Sequence, residues 1–159
     1  MRKNTIPSFC VAADVAPRRK PSNYPSPYAQ RMEGRTKRAL GDVFGLHNFG
    51  VNHTTLAPGA QTALRHAHAV QDELVYVLSG QPLLIDDQGE HRLAPGMCAG
   101  AAGGSGRAAH LVNDTDEDVT LLEIGDRMPG DSAQYPDDDL VAVFEDGRWC
   151  FTHKDGRPY

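Results

Sequence analysis

Short apolar and β-branched runs, cut every few positions by turn-forming residues, constrain this chain more than any other feature of it. From Phe49 onward they cover 50–56, 62–68, 73–79, 82–86, 90–93, 109–113 and 119–124. Pro58-Gly59, Asp87-Gln88-Gly89 and Pro95-Gly96 stand between them, and a Gly-rich stretch over 100–107 reads as a long loop. Runs of this length at this spacing are too short for helices and leave no room for parallel crossovers, so an all-β barrel or sandwich follows. Near the end, Leu140–Phe144 and Arg148–His153 flank Asp146-Gly147 and read as a hairpin with Trp149 and Phe151 on one face.

Before Phe49 the pattern is different. Prolines 7, 17, 21, 25 and 27 and weak periodicity predict an irregular arm, with Arg31–Asp42 a short strand or turn leading into the body. The chain therefore divides into a basic N-terminal arm over 1–40, a barrel over 41–126, and an acidic C-terminal segment and hairpin over 127–159 packed on the barrel. Residues 1–40 hold nine Lys or Arg against Asp14 and Glu33, whereas 114–159 hold thirteen Asp or Glu against four Lys or Arg. This asymmetry predicts that the two ends lie against each other or against another subunit. A net charge of −5, and basic residues scattered without an aromatic platform, argue against nucleic acid as a partner.

The chemistry is concentrated in His66-Ala67-His68 and Glu73. On a strand, residues i and i+2 share a face, so two imidazoles point the same way, and a carboxylate beyond a short turn reaches the same point from the next strand. Two neutral imidazoles and one carboxylate make a facial set for a divalent ion with open positions. Beyond it, His110 is ambiguous. If 109–113 alternates regularly, Ala109, Leu111 and Asn113 face one way and His110 the other. His110 is then an outward histidine, unless a bulge in the Gly-rich loop turns it inward as a further ligand.

The spacing of His66, His68, Glu73 and Gly80 resembles the first motif of the cupin superfamily, with six residues between Gly59 and His66 where the motif has five. Gly96, Gly104 and Asn113 keep the frame of the second motif, with Ala102 in place of its proline and Ala109 at its ligand position. Tyr24–Tyr28, Asn48–Asn52, Arg65–His68, Asp72–Leu78 and Tyr135–Leu140 extend the resemblance, to small single-domain bacterial cupins of poorly defined function. It implies a double-stranded β-helix, or jelly roll, and a divalent metal ion (Fe, Mn, Ni, Cu or Zn) held by His66, His68, Glu73 and, where a bulge turns it inward, His110. It leaves two functions open: a metal-dependent enzyme acting on a small oxygen-rich molecule by oxygenase, isomerase or lyase chemistry, or a non-catalytic small-molecule binding or sensing barrel with a degenerate site.

Three further expectations concern surroundings. Val75 and Val77 share the inner face with Glu73, so the apolar outer residues Leu74, Tyr76 and Leu78 need cover from another sheet, the arm or a second subunit, and a homodimer supplies it most economically. Cys10, Cys98 and Cys150 are too few and too scattered for a disulfide framework, and no signal-like or membrane-length run occurs, which predicts a cytoplasmic protein without a membrane partner. Tyr76, Gln61 and Cys98 are candidate pocket groups with a structural role as the simpler reading.

Overall fold

A computed structural model describes residues 6–20 and 22–159. Twelve strands occur among them: β1 Arg35–Ala39, β2 Phe49–Leu56, β3 Ala67–His68, β4 Glu73–Ser79, β5 Leu83–Asp86, β6 Gly89–Arg92, β7 Cys98–Ala101, β8 His110–Val112, β9 Val119–Asp126, β10 Ser132–Tyr135, β11 Leu140–Glu145 and β12 Arg148–Thr152. All named pairings are antiparallel. One wall is a five-stranded sheet in the order β1-β2-β9-β4-β7. The other consists of β12-β11-β10-β3 and β6-β5-β8. A bridge between His66 and Ala109 joins these two sheets. This is the all-β jelly roll the turn spacing predicts.

Alternation decides what each wall presents to the interior. Leu56, Val77, Val119 and Leu121 from the five-stranded sheet meet Leu93 and Leu111 from the other wall in one buried cluster. Each such side chain contributes roughly 1.5–3 kcal/mol by leaving water. This apolar plug fills one end of the barrel. At the other end the same inward face carries Glu73, Asn52, Glu123 and Lys37, and the barrel stays open there.

Gly80 closes β4 with a positive φ of 77°, and a Cβ on it would lie 2.7 Å from a methyl group of Val119. The motif glycine at this position is thus required twice, by backbone and by packing.

Several boundaries differ from the sequence reading. The irregular arm stops short of residue 40, because Arg35–Ala39 pairs with β2 as the edge strand of the large sheet. The run 62–68 is regular strand only at Ala67–His68, since 61–66 touch their neighbours through single bridges. The loop expected over 100–107 begins later, as Cys98–Ala101 pairs with β4. Strand β10 has no counterpart in the sequence reading, whereas the C-terminal hairpin forms as expected around Asp146 and Gly147, both at positive φ.

The two ends of the chain do lie against each other. Tyr24, Tyr28 and Met32 from the arm pack with Leu64, Tyr135, Leu140, Trp149 and Phe151 in a second cluster. Arg31 pairs with Asp138 at 2.6 Å, and the Tyr28 and Tyr159 hydroxyls are 3.1 Å apart. By contrast Leu74, Tyr76 and Leu78 are 39–42% exposed, so no described segment of the chain covers that outer face. No described helix is long and apolar enough to cross a membrane.

Candidate metal centre

His66 and His68 flank one strand position and so point to the same side, while Glu73 opens the next strand. The connection between them is tied down by two carboxylates. The Val70 and Gln71 N–H groups donate to Asp131 Oδ1 at 2.9 and 3.3 Å, and the Asp72 N–H donates to Asp126 Oδ2 at 2.9 Å. Gly103 lies so close to this turn that a Cβ would stand 2.0 Å from the Val70 carbonyl oxygen.

The ligand atoms converge. The two Nε2 atoms are 3.1 Å apart, and Glu73 places Oε2 3.6 Å from His66 Nε2 and Oε1 3.4 Å from His68 Nε2. Ligands at about 2.1 Å from a common ion lie roughly 3.0–3.4 Å apart along polyhedron edges. One atom from each of the three residues falls within 4.8 Å of the others, so the group is able to hold a metal ion. The opposite ring nitrogens are committed elsewhere: His66 Nδ1–H donates to the Leu64 carbonyl at 2.7 Å, and His68 Nδ1–H donates to the buried Asp131 at 2.5 Å. Each bond fixes the tautomer that leaves Nε2 free to coordinate. Aromatic rings complete the setting, with Tyr135 stacked on His66 and Trp149 edge-on to His68.

The two histidines differ in charge. Burial, chiefly, lowers the His66 pKa and keeps that ring neutral. Burial opposes a charge on His68 as well, but its hydrogen bonds and charge pairing with Glu73 and Asp131 prevail and lift its pKa to about 9. Loss of water around it likewise acts to raise Glu73, and the His68 hydrogen bond with the neighbouring positive charge brings it down to about 2. The His68 ring thus stands between the Glu73 and Asp131 carboxylates.

Of the four ligand candidates, His66, His68 and Glu73 are brought together and His110 is not part of their group among the described residues. Its pairing with β5 runs without a register shift from Val112 to His110, and its Nδ1–H donates to the Ala63 carbonyl at 2.8 Å. Burial lowers its pKa. Ala109 bridges directly to His66, so its methyl group lies on the histidine's face. Of the lesser candidates, Gln61 bridges to Val112, and Cys98 pairs with Tyr76 and is exposed.

Sequence reasoning missed Asp131, since only the pairing of β10 with β3, Ala133 opposite His68, brings it under the ring. It also missed Glu123. This carboxylate faces inward from β9, opposite Val75 and two positions from Gly125, the partner of Glu73. Lys37 Nζ lies 3.1 and 3.0 Å from its two oxygens, and Thr54 Oγ1 donates to Oε2. The alternation signal was present, in Val119, Leu121 and Glu123, but nothing in the sequence distinguishes an inward Glu at the open end from an outward one.

Along its row of the sheet Glu73 has only small neighbours, Ala101 on β7 and Gly125 on β9. The β2 partner of Gly125 is Gly50. A Cβ at Gly125 would lie 3.8 Å from Glu73 Cγ. These groups border a cavity of about 1050 Å³ that runs from the triad past Glu123 and Lys37 to Arg18, Arg19 and Lys20 of the arm.

Residues 52–125 match the cupin domain family. A sugar phosphate isomerase of the cupin superfamily from Silicibacter pomeroyi is 41% identical, with a TM-score of 0.88 over 92% of this chain and 93% of the other. The chain belongs to the cupin superfamily. This cupin is also similar to a putative sugar phosphate isomerase from Acidithiobacillus ferrooxidans, at 29% identity and a TM-score of 0.72 over 79% and 80% of the two chains. The polyketide cyclase RemF from Streptomyces resistomycificus, 21% identical with a TM-score of 0.59 over 74% and 78%, shares the cupin fold. No curated protein sequence matches this cupin.

Proposed function

We propose that this cupin is a metal-dependent isomerase of a small phosphorylated sugar, exchanging a carbonyl and a hydroxyl between adjacent carbons. The observation that carries this reading is the placement of Glu123, a carboxylate held by Lys37 and Thr54, on the same inner sheet face as Glu73 and on the cavity that His66 and His68 border from the opposite wall. The names of the Silicibacter pomeroyi and Acidithiobacillus ferrooxidans proteins support it.

His66, His68 and Glu73 would hold a divalent ion, which when bound would supply Lewis acidity toward a carbonyl or hydroxyl oxygen. The reaction is redox neutral overall, so of Fe, Mn, Ni, Cu and Zn those that stay divalent suffice. Glu123 takes the proton from the carbon bearing the hydroxyl, and the electron pair of that C–H bond forms the C=C bond of an enediol as the neighbouring carbonyl oxygen gains a proton from water. Glu123 returns its proton to the former carbonyl carbon, and the other hydroxyl gives up its proton to water, restoring the one taken up in the first half, and becomes the new carbonyl. Lys37 and Thr54 keep the carboxylate positioned through both transfers.

The test measures metal content of untagged protein, then aldose–ketose interconversion of phosphorylated pentoses and hexoses in D2O. Stoichiometric metal and deuterium at the exchanged carbon are expected. Glu123→Gln should lower kcat by about 10²–10⁴-fold with metal content unchanged. Metal-loaded protein without exchange on any ester would sink the reading. Ala109, which puts a methyl group beside His66 where a fourth ligand would stand, favours the second reading, a binding or sensing barrel. Ligand binding without turnover would select it.

A further inference from the structure

The cations bordering the cavity are not equivalent. Lys37 is paired with Glu123 at 3.0 Å, Arg127 with Asp42 at 2.8 Å, and Arg107 stands 3.8 Å from Asp86. Arg35 donates to the Thr62 carbonyl. Arg18, Arg19 and Lys20 also border the cavity, yet among the described residues none of their side chains takes part in an ion pair or hydrogen bond. Three consecutive uncompensated cations are conspicuous in a chain where 21 carboxylates outnumber 16 Lys and Arg. With acid in excess, their isolation costs attraction that pairing would recover.

Their position is fixed by the backbone. The Arg18 N–H donates to the Lys37 carbonyl at 2.8 Å, which lays the arm along the outer edge of β1, the strand that brings Lys37 to the cavity floor. A few residues on, Tyr24 meets Tyr135 and Phe151 edge-on, with ring centroids 5.8 and 5.6 Å apart, and Ser22 accepts the Tyr24 N–H. Tyr135 in turn stacks on His66. The basic run is therefore held at both sides, at the cavity border, by contacts that lead to the metal-ligand set.

We infer that Arg18, Arg19 and Lys20 form an anion-binding subsite that takes the phosphoryl group of a phosphate monoester whose polar carbon chain extends toward His66, His68 and Glu73. A phosphoryl dianion offers three acceptor oxygens, and two guanidinium groups with an ammonium supply donors and charge to match. Of the carboxylates bordering the cavity, Glu123 is offset by Lys37 and Asp86 faces Arg107, Glu73 belongs to the metal-ligand set, and Asp126 accepts the Asp72 and Met128 N–H groups. What the far end of the molecule undergoes rests on the isomerase reading. Capture of the phosphoryl group does not.

The experiment titrates the full chain, as purified, with ribose 5-phosphate, ribose and inorganic phosphate by calorimetry at low and high salt. The ester is expected to bind, inorganic phosphate to bind more weakly and compete with it, and ribose to show no heat. Added salt should weaken the ester. The triple variant Arg18→Gln, Arg19→Gln, Lys20→Gln should lose tenfold or more in ester affinity while keeping its metal content, which checks that the site is still folded. Arg18→Lys with Arg19→Lys should restore part of the loss. Equal affinity for ester and sugar, undiminished binding by the triple variant, or no binding of ester or phosphate up to roughly 10 mM each overturns the subsite. Ester capture by a protein that turns nothing over leaves the subsite standing and removes only the isomerase.

Discussion

His68 donates from Nδ1 to Asp131 at 2.5 Å, and Asp131 has no exposed surface. A buried carboxylate behind a ligating imidazole holds the ring in its coordinating tautomer and raises its basicity. The same carboxylate accepts the Val70 and Gln71 N–H groups, so it orients one ligand and shapes the turn that delivers the next.

Asp131→Asn keeps the volume and an acceptor for Val70 but removes the charge. Metal affinity is expected to fall about 10–100-fold, read by competition with a chromophoric chelator. Unchanged affinity would show that the ring is oriented by other contacts.

The metal-free protein should carry a proton on His68 Nε2 at neutral pH, because its pKa stands at about 9. Metal must displace that proton, so affinity should rise with pH up to about 9 and level off. Calorimetry at pH 7 in buffers of different ionisation enthalpy should report close to one proton released. Stability of the metal-free protein follows the same groups. The raised His68 contributes fully below its ordinary 6.5 and is lost as pH rises through about 9, while the depressed Glu73 contributes fully above 4.5 and is lost as pH falls toward about 2. Denaturant titrations should therefore show the pair's contribution, as the difference from His68→Ala, largest between 4.5 and 6.5.

Ala109→His introduces an imidazole on the face of His66. Binding should tighten by more than the 10–100-fold range of an outer-sphere contact, roughly. If affinity is unchanged while His110→Ala weakens it, His110 serves as the fourth ligand.

A homodimer formed across the outer face of β4 would cover the exposed strip of Leu74, Tyr76 and Leu78. Light scattering should give twice 17.3 kDa for the parent protein and 17.3 kDa for Tyr76→Glu, whose charge cannot be buried unpaired. A monomeric parent protein would falsify this assembly.

The triad was legible in the sequence because its geometry is local: two histidines two apart on a strand, and a carboxylate one turn later. Most strands were legible for the same reason, through alternation between Pro-Gly and Asp-Gly turns. Asp131 was not, since its approach to His68 depends on β10 pairing with β3 across more than sixty positions. The end of β7, Gly100 and Ala101, falls inside the expected loop because glycine and alanine have weak strand preference and are ordered by β4 beside them. The face of His110 turned on a single-residue register that only the ladder with β5 specifies. The arm's basic run was legible as charge but not as place, because its position comes from one backbone bond to Lys37.

Gly125 beside Glu73 on β9, with Gly50 beyond it, leaves the carboxylate without a side-chain neighbour on that side, while the small Ala101 of β7 stands on the other. The two histidines are locked by bonds behind their rings, but the third ligand can swing. A carboxylate shift, from one bound oxygen to two, then costs no repacking, so the centre should tolerate ions of different radius by breathing on one side only. Alanine at position 125 would stiffen that side and narrow the range of ions accepted.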